Sequence, residues 1–240
     1  MFLTLYQVDA FAKKVFKGNP AAIIPLDSWL SDELMQSIAA ENNLSETAFF
    51  ITTENGFFIR WFAPLREVDL CGHATLAAAH VIFNILDYPE DKITFNSRSG
   101  ELIVTKKNPY LELNFPAQRA KSCACPSIII QAFDKQPIEC LQAEDYIVVF
   151  EGEQSIIDAQ PNLALLEQLD LRGVAITAKS SHYDFVSRFF APKYGINEDS
   201  VTGSAYTQLV PYWSKQLGRK KFSSKQLSFR GGELLCEIEG

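Results

Sequence analysis

Residues 60–64 read Arg60-Trp61-Phe62-Ala63-Pro64, and residues 188–192 read Arg188-Phe189-Phe190-Ala191-Pro192. One four-of-five match carries little weight in a chain of 240 residues. Two further matches follow in the same order. Gly72, which opens an apolar run, recurs as Gly203, and Arg98-Ser99-Gly100-Glu101-Leu102 recurs as Arg230-Gly231-Gly232-Glu233-Leu234. The three offsets agree closely, at about 130 residues. That period is too long for a solenoid, so the pattern reads as a duplicated domain. The expected halves are residues 1–116 and 117–240, divided in the polar, proline-flanked stretch 115–126. Within each, strands precede a buried helix and more strands follow it.

The local pattern agrees with that plan. Residues 3–11 and 21–26 read as strands, and Ser31-Asp32-Glu33 reads as a helix start with Ser31 as N-cap, the helix running to about Asn42. Strands at 47–52 and 57–62 are joined by the turn Glu54-Asn55-Gly56. A helix over 72–86 is apolar all round its first turns, which marks it as buried, with His80 as a packing residue. Strands follow at 92–95, 101–106 and 110–115. In the second half, strands are expected at 137–141, 146–150, 174–178, 185–190, 225–230 and 233–238, with a helix over 203–217 that Pro211 would kink or shorten. The fold class is therefore α+β: two pseudo-symmetric domains, each a curved, barrel-like mixed sheet around a central helix.

Bulk properties exclude several roles. Hydrophobic residues make up 47% and charged residues 21%, as in ordinary globular domains. The net charge is −7 and the single basic cluster is Arg219-Lys220-Lys221, so no nucleic-acid partner is expected. No apolar stretch is long enough to span a bilayer, and the amino terminus lacks a signal-peptide pattern; no membrane association and a cytoplasmic location are expected. Five cysteines (71, 123, 125, 140 and 236) form no disulfide framework. Cys123-Ala124-Cys125 lacks the spacing of a zinc knuckle, so these read as plain thiols. Neither a nucleotide motif nor a metal motif stands out, so no metal and no cofactor are expected.

Chemistry concentrates in the two equivalent loops. Asp69-Leu70-Cys71-Gly72-His73 and Asp199-Ser200-Val201-Thr202-Gly203-Ser204 each place an acid, a small or polar residue and a glycine before a helix. Helix amino termini carry unpaired N–H groups and a positive dipole end, so two of them facing one interdomain cleft would seat a carboxylate or phosphate. At such a position His73 is expected neutral. Glu46, at the mouth of an apolar strand, is either a solvated charge or a carboxylate able to exchange a proton.

Four stretches taken together carry a family resemblance: Phe16-Lys17-Gly18-Asn19-Pro20-Ala21-Ala22, Leu44-Ser45-Glu46-Thr47-Ala48-Phe49, Cys71-Gly72-His73-Ala74-Thr75-Leu76-Ala77, and Glu198-Asp199-Ser200-Val201-Thr202-Gly203-Ser204-Ala205. The chain resembles, over essentially its whole length, the phenazine-biosynthesis PhzF-like isomerases, which share the diaminopimelate epimerase fold. The resemblance implies a cofactor-independent proton shift on a small carboxylate-bearing metabolite, in a homodimer. It makes Glu46 the general base and acid, His73 and Asp199 its catalytic partners, and Asn19, Gly72, Gly203 and Ser204 substrate-binding. The epimerase relatives place a cysteine before each helix-start glycine. Here Cys71 fills the first place but Thr202 the second, and a threonine hydroxyl is too weak an acid to replace a thiol. Family members commonly continue beyond the equivalent of Gly240, so the second domain is expected to be short at its end. The rival expectation is a carboxylate-binding protein without turnover.

Overall fold

The computed structural model describes residues 2–239. They divide into two compact units. The first is Asn19–Phe115 with the residues up to Ala10; the second is Phe11–Gly18 with the residues from Pro116 onward. A continuous division at 116 would leave Phe11–Gly18 in the first unit, but backbone hydrogen bonds tie this segment into the second. Gly18 N–H donates to the Gly231 carbonyl (2.7 Å) and Glu233 N–H to the Phe11 carbonyl (3.3 Å). Arg230 Nε donates to the Gly18 carbonyl (2.9 Å).

The first unit holds β1 (Tyr6–Ala10), β2 (Asn19–Leu26), α1 (Asp32–Asn42), β3 (Glu46–Thr53), β4 (Gly56–Ala63), β5 (Arg66–Val68), α2 (Gly72–Asn84), β6 (Lys92–Ser97), β7 (Gly100–Lys107) and β8 (Tyr110–Leu113). Its strands form one curled mixed sheet in the order β1-β2-β3-β4-β6-β7-β8, with β5 paired to β4. Only β2–β3 and β4–β6 are parallel, and each is bridged by a helical crossover, as parallel neighbours require. The second unit holds β9 (Lys121–Ser122), α3 (Ser127–Phe133), β10 (Glu139–Gln142), β11 (Tyr146–Val149), α4 (Glu153–Ile157), α5 (Leu163–Leu166), β12 (Val174–Lys179), β13 (Phe185–Ala191), β14 (Ile196–Asp199), α6 (Gly203–Leu217), β15 (Lys221–Gln226) and β16 (Gly232–Glu237). Here the order is β9-β10-β11-β12-β13-β15-β16, with β14 on β13, and the parallel pairs are β11–β12 and β13–β15. The series β4, β5, α2, β6, β7 therefore has the same pairing pattern as β13, β14, α6, β15, β16.

The repeated pentapeptide closes β4 and β13. Trp61 points inward with the cluster around α2, and Phe189 with the cluster around α6. Alternation sends Phe62 and Phe190 to the opposite sheet faces, where they join separate clusters. Arg60 and Arg188 share those outer faces. Each guanidinium lies over the phenylalanine two residues on, at 5.1 Å for Arg60–Phe62 and 5.0 Å for Arg188–Phe190. Each also forms a two-pronged pair with a glutamate of the next short strand. Arg60 donates to both oxygens of Glu67 (2.7 and 2.8 Å), and Arg188 to both of Glu198 (2.6 and 3.0 Å). The repeat is a structural clamp that fastens β5 to β4 and β14 to β13.

Burial explains the sequence texture. α2 is buried along most of its length because the sheet curls round it; Ala74, Ala77, Ala78, Val81 and Ile82 are all at most 1% exposed. His80, expected to pack, is exposed instead, with Nδ1 3.1 Å from Asn84 Nδ2. α1 covers the other face of β2–β4, and α3, α4 and α5 cover the other face of β11–β13. Strands buried on both faces read as continuous apolar runs, which is why every residue of β13 is buried. Pro211 does not shorten α6, which runs unbroken over Gly203–Leu217. Its missing N–H frees the Thr207 carbonyl, and Gln118 N–H fills that place at 2.9 Å. The strand expected at 225–230 lies instead at Lys221–Gln226, and residues 227–231 form the turn into β16.

Candidate active site

In the first unit, parallel pairing of β2 with β3 sets Ala21 beside Glu46, so the starts of both strands lie together. α2 packs over them and delivers His73 from its first turn. Glu46 Oε2 lies 3.3 Å from His73 Nε2, with side-chain exposures of 14% and 7%. On the other side of the ring, Nδ1 faces Asn19 Nδ2 (3.5 Å) and Cys71 Sγ (3.5 Å). Ser45 Oγ donates to Asn19 Oδ1 (3.2 Å), which turns the Asn19 NH2 group toward the ring. Burial drives His73 down to about 4, against a smaller upward pull from the Pro20 carbonyl. At neutral pH the imidazole is uncharged, as its place at a helix amino terminus implies.

Three of the residues singled out in the sequence thus meet here: Glu46, His73 and Asn19. Asn19 is fully buried, and the contacts described brace His73 and Ser45. Cys71 joins them as the N-cap of α2. Glu46, Cys71 and His73 could also hold a cation, since one ligand atom of each lies within 4.8 Å of the others. The sequence reading saw no such cluster because Glu46 comes from a separate stretch. A Cβ at Gly72 would stand 3.1 Å from the Phe115 ring, which would have to shift by a few tenths of an ångström.

In the second unit, Asp199 ends β14 and Gly203 and Ser204 open α6. Thr202 Oγ donates to Asp199 Oδ2 at 2.5 Å, so this hydroxyl holds an acid. Gln226, which the sequence reading missed, is fully buried and completes the arrangement. Its Oε1 accepts from Thr202 N–H (2.9 Å), and its Nε2 donates to the Asp199 carbonyl (2.9 Å) and lies 3.2 Å from Thr202 Oγ. A polar residue facing inward from β15 is the one sequence signal that could have found it.

Two curled mixed sheets, each round a helix whose amino terminus carries polar side chains, define an α+β isomerase of the diaminopimelate epimerase-like fold. The chain belongs to the phenazine biosynthesis-like (PhzC-PhzF) family, whose model matches residues 8–240. It is 49% identical over 240 residues to a Pseudomonas aeruginosa protein named an uncharacterized isomerase, covering 100% of this chain and 93% of that one. The crystal structure of a PhzF-family phenazine biosynthesis protein from Enterococcus faecalis matches with a TM-score of 0.97 at 45% identity, covering 100% of this chain and 92% of that one. A hydroxyproline epimerase from Agrobacterium vitis shares the fold alone, with a TM-score of 0.64 at 8% identity, covering 99% of this chain and 84% of that one. Among the described residues, no helix is long and apolar enough to cross a membrane.

Proposed function

We propose that the protein catalyses a proton shift on a small carboxylate-bearing metabolite, with Glu46 removing a proton from carbon and returning it to another position. The observation that carries this reading is the 3.3 Å approach of Glu46 to a buried, neutral His73. An uncharged imidazole this close leaves the Glu46 carboxylate un-neutralised, as a charged salt-bridge partner would not. It is also a hydrogen-bond donor for a developing enolate. The first turn of α2, entered through Gly72, supplies N–H groups for an anionic substrate. From the second unit we assign Asp199, Gly203 and Ser204 to substrate binding and polarisation, Asp199 being oriented by Thr202 and Gln226.

A second reading makes Cys71 the base, because its thiol lies 3.5 Å from His73 Nδ1. Deuterium uptake from D2O into a panel of unsaturated and amino carboxylic acids separates the two. The proposal expects exchange in the wild type and in Cys71→Ala. In Glu46→Gln it expects a loss of about 10³-fold, the middle of the range typical of a general acid–base group. Loss in Cys71→Ala with exchange kept in Glu46→Gln would transfer the chemistry to the thiol. Saturable binding of an acid without exchange in any variant would favour a binding protein.

A further inference from the structure

Two turns of the second unit, residues 13–18 and 227–231, lie far apart in the chain and are fastened to each other. Gly18 N–H donates to the Gly231 carbonyl (2.7 Å). Arg230 donates to the Gly18 carbonyl through Nε (2.9 Å) and to the Lys17 carbonyl through a terminal nitrogen (3.3 Å). Ser228 Oγ accepts from Gly231 N–H (3.0 Å) and donates to the Ser200 carbonyl (2.6 Å), which ties the second turn to the segment before α6. Lys13 Nζ pairs with Glu233 (2.6 Å), whose other oxygen accepts from the Tyr183 hydroxyl (2.9 Å).

This braced frame displays apolar side chains to solvent. Val15 is 74% exposed, Phe16 78% and Phe229 98%. Phe16 adopts a φ of +66°, a left-handed conformation that a bulky residue rarely takes. Strain of this kind persists only where surrounding contacts hold it, and it collects at functional positions. The charges are as segregated as the apolar groups. Lys14 and Lys17, both exposed, flank Val15-Phe16, and Arg230 follows Phe229. Neither 11–18 nor 227–232 contains an acid, in a chain of net charge −7.

We propose that this tip is a docking surface for an anionic lipid bilayer. Exposed aromatic and aliphatic side chains ringed by Lys and Arg fit the boundary between acyl chains and anionic headgroups. Charge complementarity selects the anionic surface: the cations of the tip meet it first, and acids more than a Debye length away are screened. Size argues against a protein partner, because a stable interface takes about 20–30 residues on each side and the two turns together hold eleven. Docking of this kind needs no membrane-crossing helix. It therefore departs from the expectation of no membrane association, which rested on the lack of a spanning stretch.

The test is co-sedimentation of the full chain with vesicles of phosphatidylcholine, alone or with about 30% phosphatidylserine, at about 0.1 M salt. The chain should sediment with the anionic vesicles, stay in solution with the neutral ones, and be released at about 1 M salt, where the screening length falls to about 3 Å. Lys14→Gln and Lys17→Gln should each weaken binding about fivefold, the weight of one cation near an anionic surface. Changing Phe16 and Phe229 together to Ser should weaken it at least about tenfold through lost apolar burial, with an unchanged urea midpoint as the check on folding. The proposal fails if anionic vesicles take down no more protein than neutral ones, or if these substitutions leave binding intact. It also fails if a single-stranded RNA binds as tightly through the same residues. A wild-type dimer that the double serine variant converts to monomer would overturn it too, by giving the surface to a second copy of the chain.

Discussion

Replacing His73 with Asn should change the pH dependence of stability more than stability at neutral pH. In the unfolded chain His73 titrates near 6.5, and in the folded chain burial holds it down to about 4. Between these values the unfolded state binds the extra proton, so folding stability is fully present above 6.5 and is lost as pH falls toward 4. At pH 5 the unfolded imidazole is about 1.5 units below its pKa, which at 1.36 kcal/mol per unit is about 2 kcal/mol; the ceiling, below pH 4, is about 3 kcal/mol. The His73→Asn variant lacks this loss. Relative to the wild type it should therefore gain about 2 kcal/mol between pH 7 and pH 5, whatever the substitution costs at pH 7. The groups facing the ring are Glu46, Cys71, Asn19 and the Pro20 carbonyl, of which Glu46 is itself an acid. Urea unfolding should accordingly be repeated in a Glu46→Gln background. A Trp213→Phe background leaves Trp29 and Trp61 as reporters of the first unit. A stability gap between the wild type and His73→Asn that stayed constant from pH 7 to pH 5 would refute the neutral-histidine reading on which the proposed catalysis rests.

Three other outcomes follow from geometry. Arg188→Leu strands the Glu198 carboxylate and the Ile156 and Ala159 carbonyls, and should cost about 3–5 kcal/mol in urea unfolding; Arg60→Leu should cost less, because Glu67 keeps Arg98 at 2.6 Å. Gln226→Leu removes the partner of Thr202 N–H and of the Asp199 carbonyl; it should cost about 1–3 kcal/mol by the same assay. If Asp199 polarises the substrate, the same variant should also slow deuterium exchange. Gly56→Ala combines a φ of +120° with a Cβ only 2.4 Å from the Thr94 carbonyl oxygen, and should cost more than about 1 kcal/mol by thermal or urea unfolding.

What the sequence showed and what it hid follow from where the information lies. α1, α2 and α6 were legible because cap residues, glycines and periodicity are local; Ser31 does accept from Leu34 N–H, at 3.3 Å. β15 was misplaced because Ser224 and Gln226 face inward and are fully buried, so its inner face lacks the apolar alternation that marks a strand. The short β5 and β14 are fastened by an arginine of the preceding long strand, a side-chain pairing across a turn that strand propensity does not register. The contact between Glu46 and His73 depends on the β2–β3 register and on how α2 packs, neither of which leaves a local trace. The tip formed by 13–18 and 227–231 was hidden for the same reason: its two turns meet only through tertiary hydrogen bonds.

The duplication also sharpens the chemical argument, because the two units kept the clamp and diverged at the helix starts. Where α2 is preceded by Cys71 and begins with Gly72-His73, α6 is preceded by Thr202 and begins with Gly203-Ser204. Thr202 commits its hydroxyl to Asp199 and so cannot mirror a thiol base. The other half of the comparison lies in the strands. By pairing pattern, the counterpart of β3 is β12, which opens on Val174 instead of an acid and is buried through Ala178. Among the described residues, the acid beside a helix-start histidine therefore occurs in the first unit and has no equivalent in the second. A two-base racemase needs a proton carrier on each face of its substrate; one carboxylate can only take and return a proton on the face it reaches. The asymmetry thus supports an allylic or keto–enol shift without inversion. A chiral substrate incubated in D2O should incorporate deuterium and keep its configuration, and appearance of the opposite enantiomer at the exchange rate would count decisively against a single base.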